Sequence, residues 1–132
     1  MRPGEIAAAF VDRINAHDLD GLTALMTDDH AFVDALASRV AGRAAMRSGW
    51  QQYLQMVPDY WIKVEKLLED GMTVAMFGSA GGTYAGGKPG GQKGQWEAPA
   101  AWLAEVRGEQ VAMWRVYTDN LPMRRLMGLE RA

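Results

Sequence analysis

The sequence predicts an α+β protein, with helices first and an antiparallel meander of strands last. Three observations carry that expectation. Apolar residues recur at helical spacing as far as Pro58, and beyond it they take the alternation of strands. Two tight-turn signals, Glu69-Asp70-Gly71 and Arg107-Gly108-Glu109, punctuate the second half. Segregated helices and strands of this kind make an α+β layer architecture, not an alternating α/β one.

In chain order, Pro3 and Glu5 suit the first turn of a helix. Ile6, Phe10 and Ile14 then recur every four residues, with Ala7 and Val11 widening the stripe, and His17 falls near the helix end. Asp18 is placed to cap a short second helix whose apolar side is Leu19, Leu22, Leu25 and Met26. Thr27-Asp28-Asp29 reads as a turn, His30 to Asp34 as a strand, and Ala35 to Ala41 as a loop. A helix over 44–57 presents Met46, Trp50, Tyr53, Leu54 and Val57 along one face until Pro58 stops it.

Four strands are expected after Pro58. They begin at Trp61, run over 72–84 and 96–106, and end over 110–118. Gly78, Gly81 and Gly82 inside the second of them suggest a bend or bulge. Gly86 to Gly94 is a glycine-rich connection, and Asp119 or Asn120 caps a short last helix. Neither a repeat nor a second-domain linker is visible, so 1–132 is expected to be one domain.

Composition narrows the function classes. The 132 residues are 48% hydrophobic and 23% charged, which is ordinary for a soluble globular domain with one core. A net charge of -2 and the lack of a Lys/Arg cluster argue against nucleic acid. Without cysteine there is neither a disulfide nor a thiolate metal site. No apolar run approaches the roughly 20 residues of a membrane span, and the start Met1-Arg2-Pro3-Gly4-Glu5 is unlike a secretory signal. The expectation is a cytoplasmic protein that engages neither membrane nor nucleic acid.

One short stretch carries candidate chemistry. In His30-Ala31-Phe32-Val33-Asp34, strand alternation puts Phe32 and Asp34 on one side, with His30 in the same parity. A carboxylate carried inward beside Phe32 must be paired or pushed toward neutrality, where it can exchange a proton. Asp34 is therefore the candidate base, and a strand-end carboxylate bonded to loop amides is the plainer alternative. His30 is a candidate helper, because histidine titrates near neutral pH. Tyr53, one turn beyond Trp50, is a candidate acid or oxyanion donor, although a hydroxyl emerging at the surface from a packed ring is the commoner arrangement. Asp119 is explained by the helix cap. Trp102 and Trp114 stand at alternating strand positions that can wall a cavity.

The run Gly82-Thr83-Tyr84-Ala85-Gly86-Gly87-Lys88 matches the opening of a phosphate loop, but Pro89 stands where a Ser/Thr must bind magnesium. Nucleotide binding is not expected. His17 and His30 have no metal-ligand spacing, and neither a metal nor a cofactor is expected.

Ordered features along nearly the whole chain resemble the nuclear transport factor two-like superfamily, which includes ketosteroid isomerases, limonene epoxide hydrolase and SnoaL-like polyketide cyclases. The resemblance rests on Ile14-Asn15-Ala16-His17-Asp18-Leu19-Asp20-Gly21-Leu22, on Phe32-Val33-Asp34 with Gly42-Arg43-Ala44-Ala45-Met46-Arg47, and on Trp102 to Gly108 with Trp114-Arg115-Val116-Tyr117-Thr118-Asp119. It implies a cystatin-like cone, in which a curved mixed or antiparallel sheet wraps a long helix around an apolar pocket, and a homodimer. Asp34 matches the general base of the isomerases. Their oxyanion tyrosine falls on Phe10, and their second acid falls near Ala98 to Ala101, with Glu97 out of register. The catalytic carboxylate of the cyclases and that of the closing strand of the epoxide hydrolase fall on Val116; the earlier Arg-x-Asp pair of the hydrolase falls around Phe77 to Ala80.

These readings converge on a protein that takes a hydrophobic, cyclic small molecule. Phe10, Ile14, Phe32, Trp50, Leu54, Trp61, Met76, Trp102, Trp114 and Val116 are expected to line its site. Two functions stay open: a cofactor-free isomerase or cyclase with Asp34 as base, and a non-catalytic ligand-binding or dimerisation module. A protein-recognition adaptor is the third reading.

Overall fold

A computed structural model describes residues 1–86 and 91–129. Helix α1 (Pro3–Asn15) is followed by α2 (Leu19–Ala24), strand β1 (Met26–Val33), strand β2 (Arg39–Ala41) and helix α3 (Arg43–Met56). The meander β3 (Trp61–Asp70), β4 (Thr73–Tyr84), β5 (Gly94–Arg107) and β6 (Gln110–Thr118) comes next, and α4 (Leu121–Leu126) closes the chain. All six strands form one curved, open sheet in the order β2-β1-β6-β5-β4-β3. Among the described residues, only the pairing of β1 with β6 is parallel.

Helix α1 lies on the concave face and packs against β3, β4, β5 and β6. Its stripe is buried as the spacing requires: Ile6, Phe10 and Ile14 are at most 1% exposed. Pro3 occupies the first turn, and the Gly4 amide donates to Glu69 Oε1 at 2.6 Å while Arg2 donates to Glu69 Oε2 at 2.9 Å. A carboxylate on the free amides of a helix start is favourable. The expected cap at Asp18 is present, its carboxylate accepting the Gly21 N–H at 2.9 Å. His17 takes a positive φ of 55° past the end of α1 and donates from Nε2 to the Tyr60 carbonyl at 2.8 Å.

Two local expectations are corrected. Thr27-Asp28-Asp29 is not a turn but part of β1, where the ladder to β6 slips between Met26↔Val111 and Ala31↔Met113. Ion pairs to distant parts of the sequence, Arg107 with Asp29 at 2.9 Å and Arg43 with Asp28 at 2.5 Å, hold these polar residues extended. The loop expected over 35–41 contains β2, which pairs with β1 through Phe32↔Val40. All three β2 residues are exposed, so no alternation of polarity marks it in the sequence.

The hairpins fall at Asp70-Gly71 and at Arg107-Gly108, with positive φ at both glycines. The expected bulge also exists, with its extra residue on β3: the register slips between Val64 and Lys66, opposite Gly78. A Cβ on Gly78 would stand 1.8 Å from the Lys63 carbonyl oxygen, so only glycine fits this approach. The expected glycine-rich connection lies partly outside the described residues, as do Gly87, Lys88 and Pro89 of the phosphate-loop match. Among the described residues, no helix is long and apolar enough to cross a membrane.

Candidate functional site

Strand alternation divides the concave face into a filled part and an empty part. Phe10 and Ile14 of α1 and Met76 of β4 are fully buried where helix and sheet meet. Phe10 packs on Trp114 with centroids 4.7 Å apart and on His30 at 5.8 Å. Further toward α3 and α4 the sheet and helices enclose a cavity of about 470 Å³. Its walls include Phe32 of β1, Trp50 and Tyr53 of α3, Trp102 of β5, Trp114 and Val116 of β6, and Met123 of α4.

The cavity gathers Asp34, Tyr53, Phe32, Trp50, Trp102, Trp114 and Val116 from the residues expected at a site. It leaves out others. Phe10 and Ile14 are core residues on the sheet-facing side of α1, and Met76 is a core residue of β4, against which that helix packs. Leu54 is half-buried against that core, on the flank of α3 away from the cavity. Trp61 borders a separate shallow groove with Asp59, Gly82, Gln95, Trp96 and Glu97.

His30 is also outside the cavity wall, so its expected place beside Asp34 is corrected. The ring is fully buried, and Nδ1–H donates to the Val111 carbonyl at 2.6 Å. Burial holds its pKa below the ordinary 6.5, against the opposing pull of the Val111 bond and the Asp29 charge. The enclosed Nε2 has no partner among the described residues. Structure, not proton delivery, accounts for His30.

Asp34 stands just past the end of β1 and is half-buried in the cavity wall. Its Oδ1 accepts the N–H groups of Leu36 and Ser38, each at 2.9 Å. The inward-facing carboxylate and the loop-bonded carboxylate are thus the same group: one oxygen is fixed by the turn, and Oδ2 has no partner among the described residues. The N-cap of α4 is Asn120, which makes no side-chain cap bond; Asp119, one residue before it, accepts the Leu121 N–H at 3.0 Å and also borders the cavity.

Tyr53 and Tyr60 form the polar element of the inner wall. Their rings meet edge to face, with centroids 5.0 Å apart and planes at 90°. Burial pushes both phenols well above their ordinary value, and the neighbouring Tyr53 pushes Tyr60 further. Both therefore stay protonated as donors across the working pH range.

Sequence reasoning missed Tyr60, which follows the helix stop Pro58-Asp59 and sits in no periodic pattern. It also missed Met123 and Met127 of the last helical segment, whose spacing of four was a usable signal for an apolar face. Among the described residues no group of three His, Cys, Asp or Glu is placed to hold a metal ion.

An open curved sheet wrapped on a long helix, with a cavity between sheet and α3, defines the nuclear transport factor two-like, cystatin-like class of fold. Residues 7–116 match the model of the SnoaL-like domain, and the chain belongs to that family. No match emerges among curated proteins. Among solved structures, a protein assigned as a SnoaL-like polyketide cyclase from Shewanella denitrificans OS-217 superposes with a TM-score of 0.83 at 17% identity, covering 97% of this chain and 98% of its own. A protein of ketosteroid isomerase-like fold from Catenulispora acidiphila DSM 44928, solved with trimethylamine, gives 0.79 at 22% identity over 96% and 94%. An LEH-like epoxide hydrolase from M. tuberculosis gives 0.75 at 18% identity over 95% and 88%. At these identities the likeness establishes the fold, and function is argued from the site.

Proposed function

We propose that the protein binds a hydrophobic, cyclic small molecule in the cavity beneath α3 and that Asp34 takes a proton from it without a cofactor. The observation that carries this reading is the placement of the Asp34 carboxylate in an aromatic-lined cavity of about 470 Å³, with one oxygen fixed by two amides and the other without a partner among the described residues. Small-molecule sites are typically concave, mostly apolar and of this size, with few polar groups. A base held in one orientation by its own turn is preorganised for proton transfer. Structural relatives named as a polyketide cyclase and an epoxide hydrolase support small-molecule chemistry on this scaffold.

Filling the cavity tests the binding half. Ala100 lines it from β5 and is 8% exposed, so Ala100→Phe directs a ring into empty space. Calorimetric titration with 2-acetylnaphthalene, a flat bicyclic probe, is expected to give a dissociation constant at least about tenfold weaker for this variant, with its thermal midpoint retained. Equal affinities would contradict the assignment.

Phe10 and Val116 favour a second reading, a non-catalytic module that holds its ligand. Phe10 is fully buried against Trp114 and has no hydroxyl. Val116 places an isopropyl group in the cavity wall where the resemblance puts a catalytic carboxylate. Losing such groups removes orders of magnitude of rate while leaving an apolar cavity intact.

The expected homodimer is retained as part of the proposal, carried by the convex face of the sheet. Phe77 and Tyr117 are 44% and 47% exposed there and flank Ala101 in one cross-strand row. A second copy would cover this row.

A further inference from the structure

The charged groups that border the cavity are unbalanced. Among the described residues they are the carboxylates of Asp34 and Asp119 and the guanidinium of Arg124, with neither a lysine nor a histidine. Arg124 belongs to α4 and has an interaction of its own. Neither carboxylate has an ion-pair partner among the described residues. The two acids stand at one end of the cavity. Strands β1 and β6 are adjacent and parallel, with Phe32↔Trp114 and Val33↔Arg115 in register. Asp34 is the residue after the end of β1, and Asp119 is the residue after the end of β6. Both therefore leave the same, C-terminal end of the strand pair.

In each acid Oδ1 accepts backbone N–H groups, of Leu36 and Ser38 at Asp34 and of Leu121 at Asp119, and Oδ2 has no partner among the described residues. The aromatic wall favours the same sign of ligand charge, because ring faces carry negative potential. Trp50 meets Tyr53 at 6.2 Å with planes at 88° and Phe32 at 6.3 Å with planes at 69°, so these faces are turned in different directions. A cation gains from carboxylates and ring faces together, an anion is repelled by both, and a neutral group gains little from either. An ammonium group is costly to strip of water. Asp119 is exposed, so a pair formed with it at the mouth leaves the ammonium part of its hydration.

Resting on the reading of the cavity as a ligand site, we infer that the ligand carries a protonated amine, held at the mouth by Asp119, with its ring among Trp50, Trp102 and Trp114. Asp34 keeps its place as the base, and its charge adds to the selection of a cation. The ligand class is thus a cyclic or aryl amine. The tryptophans supply affinity for any flat apolar body, and the carboxylates distinguish the amine from a neutral or anionic body of the same shape.

The test compares three probes by calorimetry at neutral pH and low ionic strength: 2-naphthylmethylamine, a cation; 2-naphthylmethanol, its neutral counterpart; and 2-naphthoate, an anion. The wild-type protein should bind the amine on the order of tenfold more tightly than the alcohol, and the anion more weakly than either. Added salt should weaken the amine and leave the alcohol unchanged. Asp119→Asn keeps an acceptor for the Leu121 N–H, so its thermal midpoint should be retained while the ratio of amine to alcohol falls to about threefold or less. Equal wild-type affinities for amine and alcohol, an anion bound as tightly as the amine, or a ratio unchanged in Asp119→Asn would overturn the assignment and leave the cavity reading standing. Failure of all three probes to bind would overturn both.

Discussion

Asp34 and Ser38 hold each other through a reciprocal pair of bonds. The Asp34 N–H donates to the Ser38 carbonyl at 2.9 Å, and the Ser38 N–H donates to Asp34 Oδ1 at 2.9 Å. This pair closes the turn between β1 and β2, in which Ala37 takes a positive φ of 67°. The residue proposed as the base is therefore also the residue that orients its own turn.

Substitutions at Asp34 should separate these two roles. Asp34→Asn keeps an acceptor for the Leu36 and Ser38 amides and should leave stability within about 0.5 kcal/mol of wild type. Asp34→Ala removes both solvent-exposed bonds and should cost about 1 kcal/mol in urea denaturation. Equal losses in the two variants would contradict the structural role.

Two glycines should respond in opposite directions to an added methyl. Gly78→Ala drives its Cβ into the Lys63 carbonyl, where backbone must move, and should destabilise by about 2–4 kcal/mol. Gly49→Ala in α3 meets only Met46 atoms at 3.7 and 3.8 Å, ordinary contact distances, and should stabilise by about 0.5–1 kcal/mol through helix propensity. Denaturant midpoints of the two variants check the pair.

The buried His30 should make the fold sensitive to mild acid. Its folded-state pKa lies below the unfolded value of 6.5, so the unfolded chain binds more protons as the pH falls. The neutral ring's contribution is fully present above pH 6.5 and is lost progressively below it. Thermal midpoints should fall between pH 7.5 and 5 more steeply in the wild type than in His30→Gln. Asp29, Asp59 and Glu69 are held low by hydrogen bonds led by Thr27, Thr83 and the Gly4 amide, and act in a more acidic window. Parallel curves for wild type and variant would contradict the assignment.

The fold was legible in the sequence wherever one element's own pattern decided its place. The Ile6-Phe10-Ile14 stripe, the Asp18 cap and the two hairpin turns are local signals, and each appears where expected. Strand β2 was not legible, because three exposed residues carry no alternation. Thr27 to Asp29 looked like a turn because the arginines that extend them come from α3 and β5. The site was legible only in part for a related reason. Parity identified the face shared by Phe32, Asp34, Trp102 and Trp114, but not which part of that face α1 fills. Phe10 and Ile14 therefore went to the core, while Tyr60 and Met123 entered the wall from segments whose docking is decided by tertiary packing.

Self-association through the convex face predicts a simple change of mass. Phe77→Lys places a charge in the exposed row beside Ala101 and should convert a dimer to a monomer in light scattering, with the fold unchanged. A wild type that is monomeric at every concentration would contradict this interface.

Hydrogen–deuterium exchange into a bound ketone tests the central claim most directly. 2-Tetralone is cyclic, apolar and bears acidic protons beside its carbonyl, and its exchange in deuterium oxide is followed by NMR. The wild-type protein should accelerate the exchange above the buffer rate. Asp34→Asn should return it to that rate while calorimetry shows unchanged binding. Acceleration that persists in Asp34→Asn, or a wild type that binds the ketone without accelerating exchange, would contradict Asp34 as the base.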